Sequence, residues 1–183
     1  RPGQEASYAH CGAESLLLGK YAGERVARDG PAQQVLDLGC ASGGLALQWL
    51  EYQPHCSLIG LDLSSGAIAL GRESARAQGI PETRLRFIAH ELKATSQIPD
   101  ATGAQLILFN PPMIHPEPSV DWPHRDGGEY GIALPLTFLK FAARHLALGA
   151  QVVCLITNPV VNGRGLFWDE LKKLPGWRVL DRR

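Results

Sequence analysis

Gln34-Val35-Leu36-Asp37-Leu38-Gly39-Cys40-Ala41-Ser42-Gly43-Gly44 begins as a short apolar run and ends as a glycine-rich turn. An apolar run of this length bounded by glycine reads as a buried strand. The residues that follow, Gly44 to Tyr52, carry Leu45, Leu47, Trp49 and Leu50 in a helical pattern that Pro54 stops. Strand, glycine turn and helix in this order open a βαβ unit. Glycines at the joint let the backbone turn tightly and lie close to a ligand.

The pattern repeats outward from that stretch. Ser57 to Leu61 is a second strand closed by Asp62, and Ser64 caps a helix running to about Gln78, with Gly79-Ile80-Pro81 as its stop. Arg84 to Ala89 and Ala104 to Phe109 read as the third and fourth strands. A long loop, 111–130, is rich in Pro, Gly and acidic residues. A helix from Leu134 to Leu146, a strand from Gln151 to Ile156, a helix from Leu166 to Leu174 and a last strand from Trp177 to Leu180 complete the series. On the amino-terminal side, Glu14 to Arg28 is a helix ended by Gly30-Pro31. The expected fold is α/β, a doubly wound and mostly parallel sheet with helices on both faces. We expect residues 1–32 to form a helical lead-in and 33–183 the ligand-binding domain. In such sheets ligands sit beyond the carboxyl ends of the strands. Asp37 with Gly39, Asp62, Glu91 and Asn110 all fall at that edge.

Composition narrows the classes. The 183 residues are 45% apolar and 20% charged, with 18 basic and 18 acidic side chains giving a formal net charge of zero. That balance gives no global field for nucleic acid. Cys11, Cys40, Cys56 and Cys154 form no C-x-x-C pair and no zinc-finger spacing, which fits reduced thiols in a reducing, cytoplasmic setting. No apolar run reaches the length of a membrane span, and no signal peptide is visible. The chain opens at Arg1 without methionine, as a processed, truncated or excised domain would.

The glycine turn alone serves dinucleotides and phosphates as well as other nucleosides. No Lys-Ser/Thr follows it, which argues against a triphosphate loop. Asp62, about 20 residues downstream, suits two ribose hydroxyls but is shared with NAD proteins. The tie is broken by Asn110-Pro111-Pro112-Met113, placed directly after Leu106-Ile107-Leu108-Phe109. Two successive prolines fix φ and keep the preceding residue extended, giving a rigid turn that presents an amide and outward carbonyls. Such a turn suits gripping the N–H bonds of an amino or amide nitrogen.

On these residues the chain resembles class I S-adenosylmethionine-dependent methyltransferases, over roughly residues 33 to 157, and so implies a Rossmann-like fold. The resemblance implies S-adenosyl-L-methionine as cofactor, held by Asp37, Gly39, Cys40, Ala41 and Gly43 of the first motif. It also implies Asp62 as the ribose acid with Leu63 beside it, His90 and Glu91 near the adenine, and Asn110. Ala41 replaces the middle glycine of that motif, and a positive φ there would be strained. This family usually adds an antiparallel strand after the sixth, which has no counterpart before Arg183.

Asn-Pro-Pro after strand four is similar to the motif of the HemK group of release-factor glutamine methyltransferases, related small-domain methyltransferases and nucleobase amino-group methyltransferases. The resemblance implies that Asn110, Pro111, Pro112 and Met113 are the catalytic turn. It implies a protein substrate such as a translation factor, or RNA or DNA. Asp126-Gly127-Gly128-Glu129-Tyr130-Gly131 resembles a glycine-rich segment of the same group, with Tyr130 where an aspartate is expected. Met113 stands where an aromatic side chain would stack on the acceptor, and Trp122 is a candidate substitute. His115, Asp121, His124 and Asp126 match no metal-ligand spacing. Trp168 and Trp177 read as core residues. A non-catalytic cofactor-binding module remains the alternative from another class.

Overall fold

A computed structural model of the protein describes residues 12–30, 32–91, 93, 103–113, 127–146 and 148–180. Strands β1 (Gln34–Leu38), β2 (Ser57–Asp62), β3 (Leu85–Ala89), β4 (Leu106–Phe109) and β5 (Gln151–Cys154) form one sheet in the order β3-β2-β1-β4-β5. Every pairing in it is parallel, with Leu36 opposite Ile59 on one side and Ile107 on the other. The chain winds outward from β1 to β3, then returns to the other side of β1 with β4. The strand order therefore reverses between β1 and β4, where α/β sheets bind their ligands.

The strands are nearly continuous in apolar residues, as a sheet buried on both faces requires. Val35, Leu58, Leu85, Phe87, Leu106, Leu108 and Val153 share one core with side chains of three helices, α1 (Ala13–Asp29), α2 (Gly44–Tyr52) and α3 (Ser65–Ala77). Alternate residues Leu36, Leu38, Ile59, Leu61, Ile107 and Phe109 point to the opposite face and are also buried. Ser64 caps α3 as expected, its Oγ accepting the Ala67 N–H at 3.2 Å.

The sheet and α1–α3 make one compact unit. A second unit holds a 3-10 turn (Glu129–Gly131), α4 (Ala133–His145), the hairpin β6 (Val160–Val161) with β7 (Arg164–Gly165), and α5 (Leu166–Leu171).

Two expectations are corrected here. Trp177 to Leu180 forms no strand and pairs with none of the described strands. An isolated tetrapeptide has no ladder to satisfy its backbone, and it follows a break at Pro175-Gly176. The helix from Leu166 ends at Leu171, short of Leu174, where Lys173 and Leu174 N–H groups turn back to Glu170 and Leu171 at 3.0 Å each. The hairpin was not anticipated, although Asn162-Gly163, with φ of 51° and 75°, is the strongest short signal for one. The antiparallel strand that the family adds after its sixth is likewise not seen among the described residues.

Candidate functional site

The β1–α2 turn is built on three left-handed residues, with φ of 65° at Gly39, 49° at Ala41 and 81° at Gly43. The strain expected at Ala41 is therefore real, since that conformation costs an L-residue roughly 1–2 kcal/mol. What holds it is Asp62. One carboxylate oxygen, Oδ2, accepts the Ala41 N–H at 2.9 Å, and Oδ1 accepts the Ser64 N–H at 2.8 Å. The acid thus fastens the turn to the start of α3 while each oxygen keeps a further lone-pair direction for a ligand. The Cys40 N–H donates to the Leu61 carbonyl at 3.0 Å, stitching the turn to β2.

Beneath the turn lies Phe87 of β3, with three glycines around its ring. A Cβ on Gly43 would overlap the ring, one on Gly60 would meet it at 2.7 Å, and one on Gly71 at 3.2 Å. Sequence reading missed this cage because its members come from four different elements.

Asp37 is 2% exposed and its Oδ2 has no hydrogen-bond partner. Burial, and then the nearby Asp62 charge, push its carboxyl up to about 8. Burial, followed by the charges of Asp37 and Asp62, also raises the Cys40 thiol, so it stays neutral and unreactive. The backbone N–H of His90 donates to the Asp62 carbonyl at 2.8 Å, and its Nε2 is buried without a partner. Leu63 is 69% exposed beside Asp62, and Glu91 is exposed on the same edge. The sequence-predicted residues of this rim are thus brought together at the carboxyl ends of β1, β2 and β3.

Asn110 leaves β4 at the strand-order reversal. Its carbonyl oxygen lies 4.0 Å from where a Cβ on Gly39 would be. The half-buried side chain is fixed: Nδ2 donates to Ser15 Oγ of α1 at 3.0 Å. Ser15 was not singled out in the sequence. Its signal was there, a hydroxyl on the apolar stripe that continues through Leu18, Ala22 and Val26.

In the second unit Pro111 is buried, and Pro112 and Met113 lie against the glycine-rich segment. A Cβ on Gly127 would meet the Pro112 carbonyl oxygen at 2.6 Å, and one on Gly131 would overlap the Met113 carbonyl. Main chain rests on main chain there. Tyr130, between these glycines, is held at φ 55° with 45% of its surface exposed. Trp122, His115, Asp121, His124 and Asp126 lie outside the described residues.

Residues 15–160 match the family model described as "Methyltransferase small domain". The chain belongs to this family. Among relatives it is 31% identical over 115 residues to the release factor glutamine methyltransferase of Chlorobaculum tepidum, covering 60% of this chain and 37% of that protein. It is 33% identical over 92 residues to the ribosomal RNA large subunit methyltransferase G of Shewanella amazonensis, covering 50% of this chain and 24% of that protein. The chain therefore spans well under half the length of these relatives. The crystal structure of a SAM-dependent methyltransferase from Agrobacterium tumefaciens superposes with a TM-score of 0.56 at 17% identity, covering 80% of this chain and 45% of that one. At that identity the likeness concerns the fold, which is the expected Rossmann-like one.

The small-domain match, residues 15–160, takes in every predicted site residue. Most of a groove of about 710 Å³ in the second unit lies beyond it, lined by Trp168, Lys172, Trp177 and Leu180 among others. Trp168 and Trp177 are half-buried walls of that groove, which corrects their reading as core. Among the described residues no helix is long and apolar enough to cross a membrane.

Proposed function

We propose that this chain carries out S-adenosylmethionine-dependent methylation of a planar nitrogen, with a protein glutamine amide as the acceptor. The observation that carries this reading is the position of Asn110: at the strand-order reversal, against the Gly39 turn, with its amide anchored rather than free.

The rim fits the cofactor on four counts. Asp37 Oδ2 is a buried acceptor lacking a donor, and an ammonium group would satisfy it. Gly43 gives α2 no side-chain cap, leaving N–H groups that favour a carboxylate. Asp62 has acceptor capacity left for ribose hydroxyls, and Leu63 offers an exposed apolar face to a base. When bound, S-adenosylmethionine supplies a methyl group activated by its sulfonium.

The acceptor nitrogen of an amide is a poor nucleophile because its lone pair is conjugated. Asn110 Oδ1 and the Pro111 carbonyl each accept one of its N–H bonds, which aligns the lone pair with the methyl. The step then depends on positioning and on preorganised dipoles rather than on a strong base. The methylated nitrogen is acidic and loses its proton afterwards. The Chlorobaculum relative, a release factor glutamine methyltransferase, and the neutral net charge support a protein acceptor such as a translation factor. The Shewanella relative, an rRNA methyltransferase, supports a nucleobase amino group as the second reading.

The test is methyl transfer from labelled S-adenosylmethionine to a bacterial release factor and, separately, to ribosomal RNA, with calorimetry of cofactor binding alongside. Asn110→Ala should lower turnover about 100-fold or more while cofactor affinity stays within about threefold. Equal loss of both would overturn the role given to Asn110. Transfer to rRNA alone would move the acceptor to the second reading.

A further inference from the structure

We propose that Tyr130 is a specificity-determining residue of the acceptor site: its ring covers the face of the planar acceptor group turned away from the methyl donor, and so selects flat, conjugated nitrogens. The inference rests on the proposed function and deepens it, naming the side chain that recognises the acceptor's plane.

The lone pair of a conjugated nitrogen stands perpendicular to the plane of its group, so the methyl must arrive at one face. The oxygens of Asn110 and Pro111 meet the N–H bonds, which lie in that plane. They fix rotation within the plane and leave the tilt of the group free. Tilt carries the lone pair off the line of transfer, and a small misplacement of a reacting atom costs much of the rate. A flat surface against the second face removes the tilt, and a stacked ring provides one. Met113 of the proline turn has a flexible thioether and no such surface.

Tyr130 has the ring and the position. A Cβ on its neighbour Gly131 would overlap the Met113 carbonyl and lie 3.5 Å from Thr157 Oγ1. Met113 stands just past β4, which ends at Phe109, and Thr157 just past β5, which ends at Cys154. Position 130 therefore adjoins both segments that continue from these two neighbouring strands. Its support is rigid. A Cβ on Gly128 would meet that of Ala133 at 2.5 Å, and the Gly131 N–H donates to the Gly128 carbonyl at 2.8 Å.

The backbone supplies an independent reason. Tyr130 is held at φ 55° and ψ 16°, between Gly128 at φ 73° and Gly131 at φ 70°. Among the described residues, the other non-glycine residues with positive φ are Ala41 and Asn162. Alanine is small and asparagine tolerates that region, whereas a bulky ring is a strained occupant. With 45% of its surface exposed, Tyr130 recovers little of that strain by burial. Strain retained at an exposed aromatic side chain points to a use beyond the packing of the free protein.

Tyr130→Phe and Tyr130→Leu separate the ring face from the rest of the side chain. Both keep an apolar group on the same left-handed backbone, and only phenylalanine keeps the face. With labelled S-adenosylmethionine and a bacterial release factor, Tyr130→Phe should hold kcat/KM within about twofold. Tyr130→Leu should lower it about 3- to 10-fold, the worth of one aromatic contact. Cofactor affinity by calorimetry should be unchanged in both. Tyr130→Asn, which suits the backbone, should keep or raise Tm while kcat/KM falls as in Tyr130→Leu. On ribosomal RNA as acceptor the loss should be larger, about 5- to 150-fold for a stacked base. Equal kcat/KM for Tyr130→Phe and Tyr130→Leu, or a Tyr130→Asn protein that loses Tm instead of activity, overturns the proposal. If Tyr130→Leu is silent while Asn110→Ala abolishes transfer, the inference fails and the proposed function stands. If Asn110→Ala is itself silent, that reading fails first.

Discussion

The β1–α2 turn of the first unit and the proline turn at 111–113 of the second solve the same problem by opposite means. Each holds irregular backbone rigid at a place where a ligand is expected. In the first, a side chain does the holding: the Asp62 carboxylate accepts the N–H groups of Ala41 and Ser64. In the second, main chain lies directly on main chain, with Gly127 against the Pro112 carbonyl and Gly131 against that of Met113. A turn clasped by a carboxylate tolerates a residue with a Cβ in a left-handed position, and Ala41 is one. A turn packed carbonyl against glycine tolerates no Cβ. The difference accounts for a side chain at the left-handed position 41, while Gly43 of the same turn is barred from one by the Phe87 ring and Gly127 and Gly131 of the second turn by carbonyl groups.

The largest effect follows from the second turn. Gly131→Ala would place a methyl group on the Met113 carbonyl and also put an L-residue at φ 70°. The carbonyl must move, and displacements of about 1 Å at a reacting group cost about 100-fold in rate. We expect methyl transfer to fall by about that factor, with cofactor affinity within about threefold of wild type by calorimetry. A matching loss of cofactor binding would break the contrast between the two turns.

The two regions were unequally legible in the sequence. The strand, the glycine turn, Asp62 and the Ser64 cap could be read because each depends on residues close together in the chain. Asp62 was given its ligand-facing task, and its structural task was missed, because the hydrogen bond to Ala41 crosses between two strand ends. Asn110-Pro111-Pro112 was legible because proline dictates φ locally. Its supports were not: Ser15 and Gly131 reach it only through the fold. At the other end, Trp177 to Leu180 carried strand-forming residues with no partner to pair with, while Asn162-Gly163 carried the turn chemistry that did produce a hairpin. Composition of a run is a weaker guide than the φ preference of its turn.

Asp62→Asn tests the clasp itself. The amide keeps one acceptor oxygen but turns its NH2 toward either the Ala41 or the Ser64 N–H, a donor facing a donor. The turn should loosen and the ribose lose a charged acceptor. We expect S-adenosylmethionine affinity to fall about 10- to 100-fold, since hydrogen bonds to charged groups contribute about 1.5–3 kcal/mol. An affinity within a factor of two would mean that the clasp is dispensable.

A smaller effect distinguishes the interiors. Asp37 titrates near 8 in the folded chain against 3.8 for an unperturbed aspartate. The folded state therefore holds a proton that the unfolded state releases, so stability is greatest below about pH 4 for this group. It declines as pH rises toward 8, by on the order of a few kcal/mol. Asp37→Asn should flatten that part of the pH–stability curve in denaturant melts. Cofactor binding near pH 7 should release up to one proton in wild type, if an ammonium draws the carboxyl into its charged form, and none in Asp37→Asn. Calorimetry in buffers of different ionisation enthalpy measures that release directly. Equal proton release by both proteins would assign the linkage to another group.

The smallest change expected is also the sharpest on the tolerance of the first turn. Ala41→Gly removes a left-handed strain of roughly 1–2 kcal/mol and adds about 0.5–1 kcal/mol of unfolded-state entropy. The net gain is about 1.5 kcal/mol or less, a rise of no more than about 6 °C in Tm for a chain of this size. Because Ala41 uses only its N–H to reach Asp62, cofactor affinity should not change. An affinity gain of tenfold or more would show the Ala41 methyl obstructing the ligand. The turn would then accommodate the side chain at a functional cost, and the clasp by Asp62 would no longer account for its presence.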